Sequence, residues 1–214
     1  MNGFDGKMNV DSPAATILNA WALHLTDRLF ADKLKQTYAI ERGKREFRAG
    51  LHKVLSLYTN GKGEADFWCD KESTPTPESC TDAMGEALTL ALDDLSKRLG
   101  NNPAKWRWGD LHVAVSEHRP MSQIGWLKKR FEVRRETSGD GFTVNVGSMT
   151  AGDSTNPYLV NKAASLRTIY DLSDLNKSLF IYQTGQSGWV NSRQYDNFAT
   201  PWSKMEYLPL SMRS

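Results

Sequence analysis

The hydrophobic pattern of the chain changes its period near Pro103, and this change constrains the fold more than any other feature. Before it, apolar residues recur every three or four positions, as on one face of an α-helix. After it, they alternate with polar residues, as in a half-buried β-strand. We therefore predict an α+β chain that is mainly helical over residues 1–100 and mainly strands and loops over 101–214, within a single unit 1–214.

Three helices are predicted in the first half, from apolar stripes that span residues 12 to about 32, 47–58 and 81–99. Ser12 is expected to cap the first helix, because Pro13 follows it at the first helical position. Asn60-Gly61 ends the second stripe. Thr81 can cap the third helix, and Gly100 ends it.

Strands are predicted at three places in the second half. Phe142 to Val146 alternates apolar and polar residues, and Leu166 to Tyr170 and Leu179 to Gln183 are further β-rich runs separated by turn-forming residues. The segment 147–161 is rich in Gly, Ser, Thr and Asn, so it is predicted to be a loop.

The two cysteines of the chain, Cys69 and Cys80, flank a polar stretch with two prolines. A short loop of this kind can bring two cysteines together, so a disulfide is one interpretation, and such a bridge persists in oxidising compartments. Two unpaired thiols are the alternative. A zinc site is disfavoured because no second pair of ligands stands at zinc spacing.

Four polar residues in or beside the predicted strands are candidates for positioning catalytic groups without contacting the substrate: Asp140, Asn145, Arg167 and Asp171. Buried polar groups are normally hydrogen-bonded wherever they occur, so a satisfied network at the end of a sheet explains the same residues without a functional role.

The segment Gly185, Gln186, Ser187, Gly188 resembles part of the nucleophile elbow of serine hydrolases. That elbow needs a second glycine after the serine and one further residue, and Trp189 stands there. We therefore interpret the segment as a structural turn rather than as a nucleophile site.

Histidines and tryptophans each allow a functional and a structural interpretation. His112 and His118 are six residues apart, which suits one face of a strand, but no third ligand lies nearby. Trp106, Trp108 and Trp126 could line a sugar or acyl pocket, although aromatic residues more often pack in a core.

Composition excludes some classes of function. The formal net charge of +2 and the mixing of basic with acidic residues disfavour a nucleic-acid surface. No apolar run approaches the roughly 20 residues that a membrane-spanning helix needs.

Ten short segments, spread over nearly the whole chain, carry a resemblance to a known family when they are taken in their order. Those of the first two thirds are Phe4 to Met8, Asp11 to Ala15, Leu95 to Gly100, Trp106 to His112, His118 to Pro120 and Gly139 to Asn145. Those of the last fifty residues are Ser165 to Asp174, Thr184 to Gly188, Ser192 to Asp196 and Trp202. This series resembles the C-terminal part of the β-chain of the penicillin acylase family, which belongs to the N-terminal nucleophile hydrolases.

The resemblance implies the C-terminal portion of a four-layer αββα fold and an amide-cleaving enzyme whose precursor cuts itself to expose a serine. The serine hydroxyl attacks the amide, its own α-amino group is the base, and an asparagine and a backbone N–H stabilise the oxyanion. By the family's order all these groups lie upstream of Met1. No catalytic residue, metal or cofactor is therefore assigned to this segment, which alone is predicted to be inactive.

The partners implied by the resemblance are the remainder of the β-chain, an α-chain from the same precursor and a small N-acyl substrate. That substrate could be a β-lactam with its side chain, an acyl-homoserine lactone or another N-acyl compound. The resemblance, together with the disulfide interpretation of the two cysteines, implies a periplasmic or secreted protein. The alternative from another class is a non-catalytic, aromatic-rich binding module for carbohydrate or a protein partner.

Overall fold

The structure is a computed structural model that describes residues 4–210. Its mixture of helices and sheets confirms the α+β class. Contacts between Cα atoms divide the described part into two compact units: unit 1 holds residues 4–7, 11–108 and 150–157, and unit 2 holds 8–10, 109–149 and 158–210. The single unit expected over 1–214, whose ends lie outside the described residues, stays a prediction.

Unit 1 is helical, as predicted. Its helices are α1 (Pro13–Glu41), α2 (Arg45–Thr59), α3 (Glu64–Cys69) and α4 (Cys80–Leu99), followed by a 3-10 turn at Pro103–Lys105. Ser12 caps α1, with its hydroxyl accepting the N–H of Ala15 at 3.1 Å. The cap of α4 is Ser79 and not the predicted Thr81, because Ser79 and Asp82 form a reciprocal capping box.

Helix α1 continues beyond its predicted end at Asp32, but its regular geometry breaks at Lys35, where φ is 44°. Asp27 connects the two sides of this break. Its carboxylate accepts two hydrogen bonds from Arg42, at 2.7 and 2.6 Å, and one from the hydroxyl of Tyr38 at 2.6 Å. Burial and the hydrogen bond to Asp27 raise the pKa of Tyr38, so its hydroxyl stays protonated.

The core of unit 1 forms where α1, α2, α3 and α4 meet. Leu25, Leu29 and Phe30 of α1 pack there with Leu51 and Val54 of α2, and the two cysteines lie in the same cluster. The alanines of α4, which include Ala83 and Ala87, are fully buried. Their small side chains let this helix approach α1 closely.

The elements after residue 107 are shorter. The helices are α5 (Trp108–Leu111), α6 (Gly125–Phe131) and α7 (Ala199–Ser203). The strands are β1 (Val113–Ser116), β2 (Val133–Glu136), β3 (Gly147–Met149), β4 (Val160–Ala163), β5 (Leu166–Ile169), β6 (Leu179–Tyr182) and β7 (Leu208–Pro209). The strands predicted near 166–170 and 179–183 are therefore confirmed.

Unit 2 contains two sheets. The first has the strand order β2-β1-β4-β3, with β1 antiparallel to β2 and parallel to β4. The second has the order β5-β6-β7 and is antiparallel throughout, with Leu166 opposite Tyr182. Ile181, Phe198 and Trp202 are buried together in this unit.

The strand predicted at Phe142 to Val146 is wrong, and this segment is an irregular turn. The carboxylate of Asp140 accepts the backbone N–H groups of Phe142 and Thr143, at 2.7 and 3.0 Å, and this bonding competes with strand pairing. Val144 is fully exposed rather than half-buried. The loop predicted over 147–161 is also wrong at its ends, which form β3 and the start of β4.

Within residues 4–210, no helix is both long enough and apolar enough to cross a membrane.

Candidate functional site

Three of the four polar candidates, Asp140, Asn145 and Arg167, meet around the loop 138–147 of unit 2. Asp140 closes one end of the loop, where its carbonyl accepts the N–H of Gly147 at 2.8 Å. Asn145 donates its side-chain N–H to the carbonyl of Ser138 at 2.8 Å. The loop is thus held by its own side chains, as a compact turn without strand pairing.

Arg167 ties this loop to the second sheet and to α7. Its guanidinium donates to the side-chain oxygen of Asn145 at 2.5 Å and to the carbonyl of Trp202 at 2.8 Å, and it stacks over the Trp202 ring at 4.6 Å. Both acceptors are neutral, and Nε has no partner among the described residues. Burial lowers the pKa of Arg167 from its ordinary value. An arginine nevertheless stays protonated in proteins, so the side chain is a cation.

Asp171 makes a different set of bonds in the turn that follows β5. Its carboxylate accepts the hydroxyl of Ser173 at 2.6 Å and the N–H of Ser173 at 2.9 Å. These hydrogen bonds lower the pKa of Asp171 below its ordinary value. In the described structure, Asp171 therefore organises its own turn.

The segment Gly185, Gln186, Ser187, Gly188 is a turn between β6 and α7. The Ser187 hydroxyl oxygen accepts the N–H of Trp189 at 3.1 Å, and the Ser187 N–H donates to the carbonyl of Gln194 at 3.1 Å. Gly185 packs directly against the backbone carbonyls of residues 194 and 195, where a side chain would not fit. This geometry differs from a strand-to-helix elbow, which presents the serine hydroxyl free of such contacts.

This turn forms one wall of a cleft of about 310 Å³ in unit 2. His118 and Tyr195 are among the residues that line the cleft with Ser187. The ring of His118 lies edge-on to Phe131 at 4.9 Å, and its buried Nδ1 has no partner among the described residues. The Tyr195 hydroxyl donates to the carbonyl of Phe131 at 2.5 Å. Burial, and to a smaller extent the negative charge of Asp196, raise the pKa of Tyr195.

Cys69 and Cys80 of unit 1 form a disulfide bond. The loop that it closes is also tied to α1 by Arg28, whose buried guanidinium bonds Glu86 at 2.6 Å and Glu78 at 3.0 Å. Burial acts against the charge of Glu86, but hydrogen bonds from Lys71 and Arg28 outweigh it and lower the Glu86 pKa. The charged cluster and the disulfide thus fix the same loop.

The tryptophans do not form the binding platform considered from the sequence. Trp106 and Trp108 are buried at 1% and 0% exposure, so neither presents a face to a ligand. Trp126 is 75% exposed. The burial of the first two removes the sequence feature that favoured a carbohydrate-binding module.

The two histidines considered as a pair have separate surroundings: His118 lines the cleft, whereas His112 is fully buried between backbone carbonyls. In the part of the chain from 4 to 210, no group of three or more His, Cys, Asp or Glu side chains is placed to hold one metal ion.

Comparison with known proteins identifies the family. The sequence model of the penicillin amidase family matches residues 1–214. The chain belongs to the penicillin amidase family. An acyl-homoserine lactone acylase, QuiP of Pseudomonas syringae pv. tomato, is 26% identical over 98% of this chain. The penicillin acylase 2 proenzyme of Pseudomonas sp. strain SE83 is 25% identical over 97% of it.

The chain spans about a quarter of the length of the curated relatives it matches, 25% for each of these two. The family motifs can nevertheless be placed on the structure. The motif that begins at Ser165 supplies β5 with Arg167, and the Trp202 motif supplies its stacking partner on α7.

Sequence reasoning missed two groups that contact Arg167 and Asn145: the Trp202 ring, which stacks on Arg167, and the carbonyl of Ser138, which accepts from Asn145. Trp202 was visible only as a family motif, since nothing in a sequence pairs it with a residue 35 positions away. The Ser138 contact uses a backbone carbonyl, a group that every residue carries, so no side-chain signal could have found it.

Proposed function

We propose that this chain is part of an amidohydrolase of the penicillin acylase type, which cleaves the amide between an acyl chain and an amine. The family match over residues 1–214 carries the proposal. The relatives are named for acyl-homoserine lactone and penicillin acylase activities, and both activities break an N-acyl bond. The proposed substrate is therefore a small N-acyl compound: an acyl-homoserine lactone, a β-lactam with an acyl side chain or a similar N-acyl compound.

The nucleophile of this enzyme is proposed to be a serine that lies upstream of this segment and is exposed when the precursor cuts itself. Its hydroxyl would attack the amide with the serine's own α-amino group as base, and an asparagine and a backbone N–H would stabilise the oxyanion. Two observations support this placement. The chain spans about a quarter of its relatives' length, and the hydroxyl of Ser187 already serves its own turn.

The role proposed for this segment is to complete the framework of a four-layer αββα fold. Arg167, Asn145 and Asp140 are proposed to help position the catalytic groups, without contacting the substrate, by fixing the loop 138–147. Asp171 is proposed to do so by fixing the turn after β5. A cation held between a neutral amide and a carbonyl, stacked on Trp202, has few alternative positions, which suits a positioning role.

The partners proposed are the remainder of the β-chain and an α-chain from the same precursor. In the described structure β5 is an edge strand, with Leu166 at 50% and Ile169 at 51% exposure. Tyr170 and Leu172, just beyond it, are more exposed still. An apolar edge of this kind is an aggregation hazard unless another segment covers it.

The protein is proposed to be periplasmic or secreted. The disulfide between Cys69 and Cys80 supports this location, because such bonds persist in oxidising compartments and are rare in the cytosol of most organisms. Mass spectrometry of unreduced protein from the native host tests it. A linked peptide pair without free thiol is expected, and complete alkylation of both cysteines would contradict the location.

Activity tests the main proposal. The chain is expressed alone and together with the upstream part of its gene, and hydrolysis of chromogenic acyl and phenylacetyl amides is measured. Turnover is expected only with the upstream part, and it should survive Ser187→Ala because the proposed nucleophile lies upstream of this segment. Turnover by the chain alone that disappears in Ser187→Ala would instead place the nucleophile in this segment.

A further inference from the structure

His112 lies between two backbone carbonyl groups in the interior of unit 2. Its Nδ1 is 2.7 Å from the carbonyl oxygen of Thr137, and its Nε2 is 3.1 Å from the carbonyl oxygen of Gly147. The side chain is fully buried, at 0% exposure. A carbonyl oxygen can only accept a hydrogen bond, whereas a neutral imidazole carries a proton on one nitrogen alone. Both bonds can form together only if both ring nitrogens are protonated.

We propose that His112 is a buried imidazolium cation in the folded protein, and that it acts as a pH-sensitive clamp on the loop 138–147. A buried charge is costly unless it is hydrogen-bonded. Here both N–H groups have a carbonyl acceptor, and hydrogen bonds from a charged donor are roughly twice as strong as neutral ones. A neutral ring would instead turn one nitrogen lone pair toward a carbonyl oxygen.

The two carbonyls stand at the two ends of the loop that carries Asp140 and Asn145. Thr137 precedes the loop and also donates its N–H to the carbonyl of His112 at 3.1 Å. Gly147 ends the loop and begins β3. A Cβ atom on Gly147 would lie 2.7 Å from Cε1 of His112, so the ring packs directly on this backbone. Losing the second proton would therefore release one end of the loop.

Charged side chains of both signs lie on the segments around the ring: Asp110, Arg134, Arg135, Glu136, Asp140 and Lys162. The two arginines of β2 pair with Glu132 and Asp196. The carboxylate of Asp140 accepts backbone N–H groups within its own loop. The two carbonyl acceptors of the His112 ring are backbone groups, so the fold fixes their positions.

The direction of the pH effect follows from the charge state. An unperturbed histidine has a pKa of about 6.5. Because the fold holds the second proton, its contribution to stability is fully present below about pH 6.5. That contribution is lost as the pH rises through the pKa of the buried ring. The expected result is a loop that loosens at alkaline pH.

The test is nuclear magnetic resonance of protein with ¹⁵N-labelled histidine. The chain has four histidines, so His112 is assigned by elimination with Gln variants of His24, His52 and His118. At about pH 7.5, above the ordinary histidine pKa, both His112 nitrogens should show the shifts of a protonated ring. One protonated and one bare nitrogen at this pH would overturn the proposal, even if no His112 variant folds.

A second measurement tests the clamp. The unfolding midpoint is followed from about pH 6 to pH 9, on either side of the neutral range in which histidine charge changes matter. Wild-type protein and the exposed-site control His52→Gln should lose stability as the pH rises, and His112→Gln should not show that loss. Equal pH profiles for His112→Gln and wild type would refute a role for the second proton.

Discussion

Removing the Cys69–Cys80 disulfide should destabilise unit 1 chiefly by raising the conformational entropy of its unfolded chain. The bond joins residues 11 positions apart. In the folded protein, the loop between them has other ties. The Glu78 carboxylate accepts the N–H of Lys71 at 3.0 Å, and the Asp70 carboxylate accepts the N–H of Glu78 at 2.9 Å. Reduction should therefore leave the native loop in place while freeing the unfolded chain.

The expected magnitude follows from the loop length. Closing a loop of about 12 residues lowers the entropy of the unfolded chain by an amount worth about 2.8 kcal/mol at 25 °C in the chain-entropy model. Replacing both cysteines by alanine also removes two buried sulfur atoms, at 2% and 3% residue exposure. The double variant should therefore lose about 3–4 kcal/mol, slightly more than reduced wild-type protein, which keeps those atoms.

Urea unfolding followed by tryptophan fluorescence measures this loss, because Trp68 packs against the same core. Oxidised wild type, reduced wild type and Cys69→Ala/Cys80→Ala are compared, with Thr76→Ala as an exposed control inside the loop. A loss below about 1 kcal/mol on reduction would refute the chain-entropy reasoning. A large loss in Thr76→Ala would show instead that the loop itself, and not the bond, carries the stability.

Three further predictions concern unit 2. Arg167→Met leaves the acceptors on Asn145 and Trp202 without their donor, so the free energy of unfolding in urea should fall by about 2–4 kcal/mol. An unchanged free energy of unfolding would show that Arg167 does not hold the loop 138–147 in place. Gly185→Ala should destabilise by about 1–3 kcal/mol because its Cβ would overlap backbone carbonyls, whereas the matched Gly188→Ala, with open space around it, should be nearly neutral. The bonds from Ser173 hold the pKa of Asp171 below its ordinary value. Their support is present above about pH 3.9 and is lost as the pH falls through that lowered pKa. The Ser173 amide resonance should report this acid transition, and Asp171→Asn should lack it.

The sequence predicted most where a single element carries its own signal. The apolar stripes of α1, α2 and α4 repeat over several turns, and Gly100 ends α4 as expected, so local pattern was enough. The cap of α4 was misplaced by two residues, since Ser79 and Thr81 are both good N-caps and only the bonds to Asp82 distinguish them.

The strand prediction at 142–146 failed for a physical reason. Alternation of apolar and polar residues is a signal for a half-buried strand only if a neighbouring strand is available. Here the carboxylate of Asp140 takes the first N–H groups of the segment, while the short runs at β3 and β4 find partners instead. Strand pairing depends on residues far apart in the chain, and a run of three or four residues is too short to predict it.

By itself, the sequence determined the α+β class, the main helices of the first half and, through an ordered series of motifs, the penicillin amidase family. Only the tertiary structure decided which polar residues meet. It brought Arg167 to Asn145 and Trp202, and it placed His112 between the carbonyls of Thr137 and Gly147. Such contacts join residues far apart in the chain and often use backbone atoms, which every residue shares, so no local pattern of side chains encodes them.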